Sequence, residues 1–186
     1  RDLHLSLLRQ RQMCIRDRAW VRNDARVNLD AKGAFASLDG AYLAFGRCHV
    51  DNHTHISHNA PECTSRECYK GVLGDRGHAV FHGRIVVQPG AQKTDSAQSN
   101  QNLLLSADAE IDTKPQLEIY ADDVKCAHGA TVSRLQPEAL FYLQSRGISP
   151  DQAAQLLLRA FCDEVSCMLP SIAQAWQPLA RLLDGV

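Results

Sequence analysis

From Val27 to Thr131 the chain never holds one hydrophobic period for long. Short apolar or alternating runs (AYLAF, HVDNHTHI, GVLG, AVFHGRIVV, NLLLS, AEID, QLEIY and DVKC) are separated by Gly, Pro, Asn and Asp. An amphipathic helix needs apolar positions three and four apart over several turns, whereas short runs bounded by turn formers read as strands. Apolar clusters at Ile85-Val86-Val87, Leu103-Leu104-Leu105 and Leu117-Ile119 return at intervals of roughly under twenty residues, a loose repeat without a fixed signature. A solenoid in which each coil buries its face on the next fits this pattern, and a β-sandwich fits it equally.

After Arg134 the pattern changes. Pro137 is placed to begin a short helix through Phe141 and Leu143, and Gly147 to stop it. Ser149-Pro150-Asp151-Gln152 then reads as a capping box with proline at the first helical position. The spacing predicts a second helix with an apolar face at Ala153, Leu156, Leu157, Ala160, Phe161, Val165 and Met168, ended by Pro170. A last amphipathic stretch carries Ile172, Trp176, Leu179, Leu182 and Leu183. Pro178 should split it, because the residue before a proline avoids helical geometry.

A chain of 186 residues has material for one core and a small appended unit. Lys and Arg total 20 against 21 Asp and Glu, a net charge of −1, so there is no electrostatic case for nucleic acid or an anionic membrane surface. No apolar run reaches the length of a transmembrane helix. The seven cysteines are odd in number and lack small-domain disulfide spacing or a secretory leader pattern, which reads as reduced thiols in the cytoplasm. Arg1 to Arg18 (RDLHLSLLRQRQMCIRDR) is Arg-rich and acid-poor like a transit peptide. It reads better as spurious or non-native sequence, outside the fold.

The candidate chemistry centres on LEIYADDVKCAHGATV, Leu117 to Val132. Leu117 and Ile119 share one parity, whereas Val124, Cys126 and His128 share the other, so the register breaks near Ala121-Asp122-Asp123 and the stretch predicts strand, corner, strand. Cys126 and His128 then leave one face about 6.5 Å apart at their Cα atoms, within reach of one soft metal. Two donors do not complete a zinc or iron–sulfur site, so further ligands must come from elsewhere. The plainer reading makes Cys126 a small core residue and His128 a hydrogen-bonded turn residue before Gly129.

Other groups invite weaker readings. His49, His53 and His55 share one parity, with His58 close behind, which suggests a metal or, more simply, an exposed polar ladder along a coil. Cys63-x4-Cys68 and Cys162-x4-Cys167 are not zinc spacings. Asp122 and Asp123 are adjacent, hence divergent on a strand, and suit a corner better than paired catalysis. No G-x-x-x-x-G-K-[ST] phosphate loop is present, so any nucleotide belongs to a partner.

The wording of GAQKTDSAQSNQNLLLSADAEIDTKPQLEIYADDVKCAHGATVSRLQPEALFYLQSRGIS, Gly90 to Ser149, closely resembles the SufB/SufD family of iron–sulfur cluster assembly subunits, and within it the SufD type. The resemblance begins near Ala25, includes His49 to Val87 and runs into the C-terminal helices. Family members are several hundred residues long, so it corresponds to their C-terminal portion. It implies a mainly β chain with C-terminal α: a right-handed parallel β-helix over 19–134 and a small helical domain over 135–186. It also implies a scaffold without enzymatic activity, paired with SufB along the β-helix and with the SufC ATPase at the C-terminal helices, around Phe141, Arg146, Gly147 and Ile148. Cys126 and His128 become the positions of a transient iron–sulfur cluster shared with SufB, and no nucleotide is expected on this chain. From the residues alone, the competing expectation is a β-helical metalloenzyme acting on carbohydrate through the histidine-rich segment.

Overall fold

The computed structural model describes residues 20–166. The stretch set aside at 1–18, the amphipathic stretch from Ile172 to Leu183, Met168 and Cys167 all lie outside the described residues. Eight strands of ten residues come first: β1 (Trp20–Leu29), β2 (Phe35–Ala44), β3 (His49–His58), β4 (Thr64–Leu73), β5 (His78–Val87), β6 (Asp95–Leu104), β7 (Glu110–Ile119) and β8 (Lys125–Arg134). Two helices follow, α1 (Pro137–Ser145) and α2 (Pro150–Ser166).

Odd strands form one sheet in the order β1-β3-β5-β7 and even strands a second in the order β2-β4-β6-β8, with every pairing parallel. Each strand therefore pairs with the strand one coil further on, and the chain winds as a two-sheeted β-solenoid of about four turns. Of the two architectures that the loose repeat allows, it is the solenoid. The true period is two strands: Trp20 lies opposite His49 and His49 opposite His78, each 29 residues on. Later coils are slightly longer, with Thr64 opposite Asp95 and His78 opposite Glu110. The apolar clusters seen in the sequence thus mark half-coils.

In-register parallel stacking places like side chains above one another, and each ladder bonds to itself. Asn23 donates from Nδ2 to Asn52 Oδ1 at 2.8 Å, and the Ser65 and Ser96 hydroxyls share a 2.7 Å bond. The corners stack as well. Gly33, at φ +70, donates its amide to the Pro61 carbonyl, and Glu62 donates to the Gln92 carbonyl. Strand β7 carries Pro115 in its interior, which the ladder tolerates because among the described strands β7 pairs only with β5, leaving one edge that needs no donor.

Inside the solenoid one core groups Leu29, Ile56, Ile85 and Val87, and another groups Tyr42, Ala44, Val50, Leu73 and Ala79. Full burial of each Ile or Leu contributes about 1.5–3 kcal/mol. A third cluster lies outside sheet β2-β4-β6-β8, where Val72 and Leu103 meet Leu158 and Cys162 of α2. Lys70, outward on β4, is buried there and donates to the Phe161 carbonyl at 3.0 Å, with its ammonium 4.5 Å from the Phe161 ring centre.

Both helix boundaries follow their capping residues. Gly147, at φ +85, and Ile148 donate to the Gln144 and Leu143 carbonyls, the paired bonds of a Schellman stop. Ser149 Oγ accepts the Gln152 amide at 3.4 Å to open α2. The expected apolar face of α2 needs correction. Ala153, Leu158 and Cys162 are buried, whereas Leu156 and Ala160 face solvent. Apolar residues occur on both sides of this helix, so its spacing alone did not decide which stripe meets the sheet.

Candidate functional site

The strand, corner and second strand expected around Ala121-Asp122-Asp123 are β7, a tight corner and β8. The corner is held by the Lys93 amide donating to the Asp123 carbonyl at 2.6 Å and the Asp123 amide donating to Gln92 Oε1 at 3.0 Å. Asp122 and Asp123 are exposed there, in the corner role.

On β8, Cys126 and His128 point to the same side, on the ladders that continue Ser96 and Gln98 of β6. Cys126 is half-buried against the Leu29–Ile85 core, and burial pushes its thiol above its ordinary value, opposed by a backbone hydrogen bond at Ser96. A metal must therefore displace a proton to use this sulfur. His128 is exposed. Among the described residues no three His, Cys, Asp or Glu side chains are gathered as a metal set, and Cys126 and His128 stand on this face as two. Strand β8 pairs, among the described residues, only with β6, and no described strand lies on its other edge.

The histidines of β3 divide by parity. His49, His53 and His55 point outward, whereas His58 points inward and is fully buried. The outward set is a cross-strand ladder with β5. The Nδ1 atoms of His49 and His78 lie 2.9 Å apart, the His53 and His82 rings meet edge to face at 5.1 Å, and His82 Nε2 reaches Gln116 Oε1 at 2.8 Å. Charges bracket the ladder: His53 Nε2 lies 2.7 Å from Asp51 Oδ1, and Arg84 grips Glu118 through two 2.7 Å bonds. Burial, then Arg84 and Arg26, hold the His55 imidazole below its ordinary pKa. The pattern is the polar ladder, with the His49, His53, His78 and His82 rings each engaged by a neighbour and His55 opposite Arg84.

Cys63 is buried and turned to the Ala31 carbonyl, and burial pushes the Cys162 thiol up to about 11. At the helical end Phe141 is 72% exposed, Arg146 stacks over Tyr142, and Ile148 is half-buried. The exposed large side chains at this end are thus Phe141 and Tyr142 of α1 rather than Ile148 of the turn. What hydropathy could not find is the polar interior behind His128, where Glu67 and Gln98 are each 3% exposed. The signal is the coil register itself, which carries His128 back to Gln98 and Gln98 back to Glu67.

The fold is a parallel β-solenoid followed by two helices, with Cys126 and His128 on one face of the last described strand. The chain matches the family described as SUF system FeS cluster assembly, SufBD core domain, over residues 12–161, and it belongs to that family. The match begins within the stretch set aside at 1–18. The iron–sulfur cluster assembly protein SufD of Escherichia coli is 42% identical over 164 residues, covering 88% of this chain and 39% of that protein. An iron–sulfur cluster assembly SufBD family protein of Synechocystis is 42% identical over 125 residues, 67% of this chain and 28% of its own length. The Arabidopsis thaliana protein ABCI7, chloroplastic, is 40% identical over 151 residues, 81% and 32% respectively. The chain spans well under half the length of these curated relatives.

Proposed function

We propose that the chain acts as a SufD-type scaffold in iron–sulfur cluster assembly, without enzymatic activity of its own, and that Cys126 and His128 hold a cluster in transit. The observation that carries this is the pair of donors on one face of β8, at an unpaired sheet edge and short of the ligands a cluster needs. A second chain docked at that edge supplies the remainder, and SufB is the partner this reading assigns there. Thiolate and neutral imidazole both ligate iron, and the imidazole leaves more readily, which suits a cluster that is cargo. The SufC ATPase is assigned to the helical end around Phe141, Arg146, Gly147 and Ile148, with any nucleotide on SufC. A cytoplasmic setting fits the reduced thiols at Cys63, Cys126 and Cys162.

The test is His128→Ala in the SufB- and SufC-containing complex, after assembly of all three subunits is verified. Cluster formation followed by anaerobic absorption and Mössbauer spectroscopy should fall at least tenfold while the complex persists. A normal rate of cluster formation would refute the assignment. The carbohydrate-cleaving alternative is the weaker reading: a pocket is lined by His53, His55 and His82, but His49, His53, His78 and His82 are engaged with one another or with neighbouring side chains.

A further inference from the structure

Two polar layers cross the interior of the solenoid, and they differ in one respect. In the first, Tyr42 donates to Asn102, Asn102 donates to Asn100 Oδ1 at 2.6 Å, Thr113 donates to the same oxygen at 2.9 Å, and Asn100 donates to the Tyr69 carbonyl at 3.3 Å. Every member is satisfied within the layer, as a purely structural network requires. The second runs up one inward column, from Leu38 through Glu67 and Gln98 to His128. There Gln98 donates from Nε2 to Glu67 Oε2 at 2.6 Å; Glu67 Oε1 and Thr54 Oγ1 are buried without a partner in the same layer, and so is the carbonyl oxygen Oε1 of Gln98. Leaving such an acceptor unbonded costs about 1–3 kcal/mol.

The surroundings narrow what that oxygen serves. Toward β4 the amide is already engaged with Glu67. Across the interior stands Gly83, where an added Cβ would collide with the Gln98 amide, so the glycine is the space in which the amide sits. On the remaining side the next rung of the column is His128, one strand spacing of about 4.8 Å away. Metal-ligating histidines commonly donate their second ring N–H to an oxygen, which sets the tautomer and the ring plane.

We propose that Gln98 is a positioning residue for His128: anchored by Glu67 and given room by Gly83, it accepts one ring N–H of His128 through Oε1, directly or through one bound water. The other ring nitrogen then keeps its lone pair aimed at the open edge for iron. This rests on the reading of His128 as a cluster ligand, but the hydrogen bond itself is a property of this chain alone.

The two are separable by experiment. Ring 15N spectra of the full chain, labelled at histidine and recorded where the imidazoles are neutral, should show one dominant tautomer for His128, assigned by its loss in His128→Ala. In Gln98→Ala the two ring shifts should collapse toward the mixed values of a solvent-exposed histidine, and Glu67→Gln should move them part of the way. Asn102→Ala, in the satisfied layer, should leave them unmoved. A mixed tautomer already present in the unaltered chain, or no change in Gln98→Ala, overturns the proposal. Should Gln98→Ala fail to fold, as judged by its amide spectrum, the isosteric Glu67→Gln decides alone, and unchanged His128 shifts there refute it. In the assembled complex Gln98→Ala should slow cluster formation about tenfold. A fixed tautomer with no effect of His128→Ala on cluster formation would sink the cluster reading while leaving the Gln98 bond standing.

Discussion

His58 gives the fold a sharp dependence on acid. It is fully buried, with Nε2 and Ser65 Oγ 2.9 Å apart, and its Nδ1 meets no partner. Burial pushes its pKa from 6.5 down to about 4. Above pH 6.5 the imidazole is neutral in both the folded and unfolded chain, so its contribution is constant. As pH falls below 6.5 the unfolded chain takes up a proton that the folded chain refuses until near pH 4. Stability therefore drops through that window and levels off beneath it. At about 1.4 kcal/mol per pKa unit the full swing is roughly 3 kcal/mol. For a domain of this size that corresponds to a fall in Tm of about 6–12 °C. His58→Gln does not titrate and keeps a group for Ser65 to bond. Urea unfolding of both proteins at constant ionic strength, from about pH 7.5 to about pH 3.5, isolates the histidine, because contributions from distant carboxylates cancel in the difference. The gap in stability between the two should change by roughly 3 kcal/mol between pH 7 and pH 4, to the disadvantage of the unaltered chain at low pH. A difference that stays flat across that range would mean His58 is hydrated or charged in the fold.

Gly71→Ala would bring a methyl to 2.5 Å from the Tyr42 ring and Asn102 Oδ1, and should destabilise the chain by about 1–3 kcal/mol in thermal melts; an unshifted Tm would show that the interior gives way. Lys70→Met keeps the stem of the side chain but removes the bond to the Phe161 carbonyl, so amide exchange in α2 should speed up while β3 and β5 stay protected, at a cost of about 1.5–3 kcal/mol. Phe141→Asp should weaken binding of the SufC ATPase at least tenfold and leave pairing with SufB intact, and Ile148→Asp at the same turn should follow it; full affinity in both would remove the helical end from the SufC assignment.

Strand parity was the most legible feature of this sequence. The register break at Ala121-Asp122-Asp123, the common face of Cys126 and His128 and the outward set of His49, His53 and His55 all follow from a side-chain period of two. Capping chemistry was equally readable at Gly147 and Ser149, because it depends on a few neighbouring residues. The first halves of β4 and β6 were not legible. TSRECYK and DSAQSNQ look like loops by hydropathy, yet Ser65, Glu67, Ser96, Gln98 and Asn100 are all buried. Polar side chains enter this core because parallel stacking and the opposite sheet satisfy most of them, which is a tertiary property invisible to any local window. AEID and QLEIY were read as separate runs, but β7 passes straight through Pro115 as an edge strand. The coil length was also within reach, since His49-x3-His53 recurs at His78-x3-His82, 29 residues later.

In a stack of coils each interior rung is held from above and below, while the last described rung, β7 with β8, is held from one side only. Stability in such a stack is close to a sum over neighbouring interfaces, so the end rungs, β1 with β2 as well as β7 with β8, open more readily than the interior ones. A chain that docks on the β8 edge supplies the missing neighbour. On the proposed reading, docking there and the final ordering of the rung that carries Cys126 and His128 become a single event, because the donor pair gains its second neighbour only on assembly. The same geometry would then keep an unpartnered chain from capturing iron prematurely.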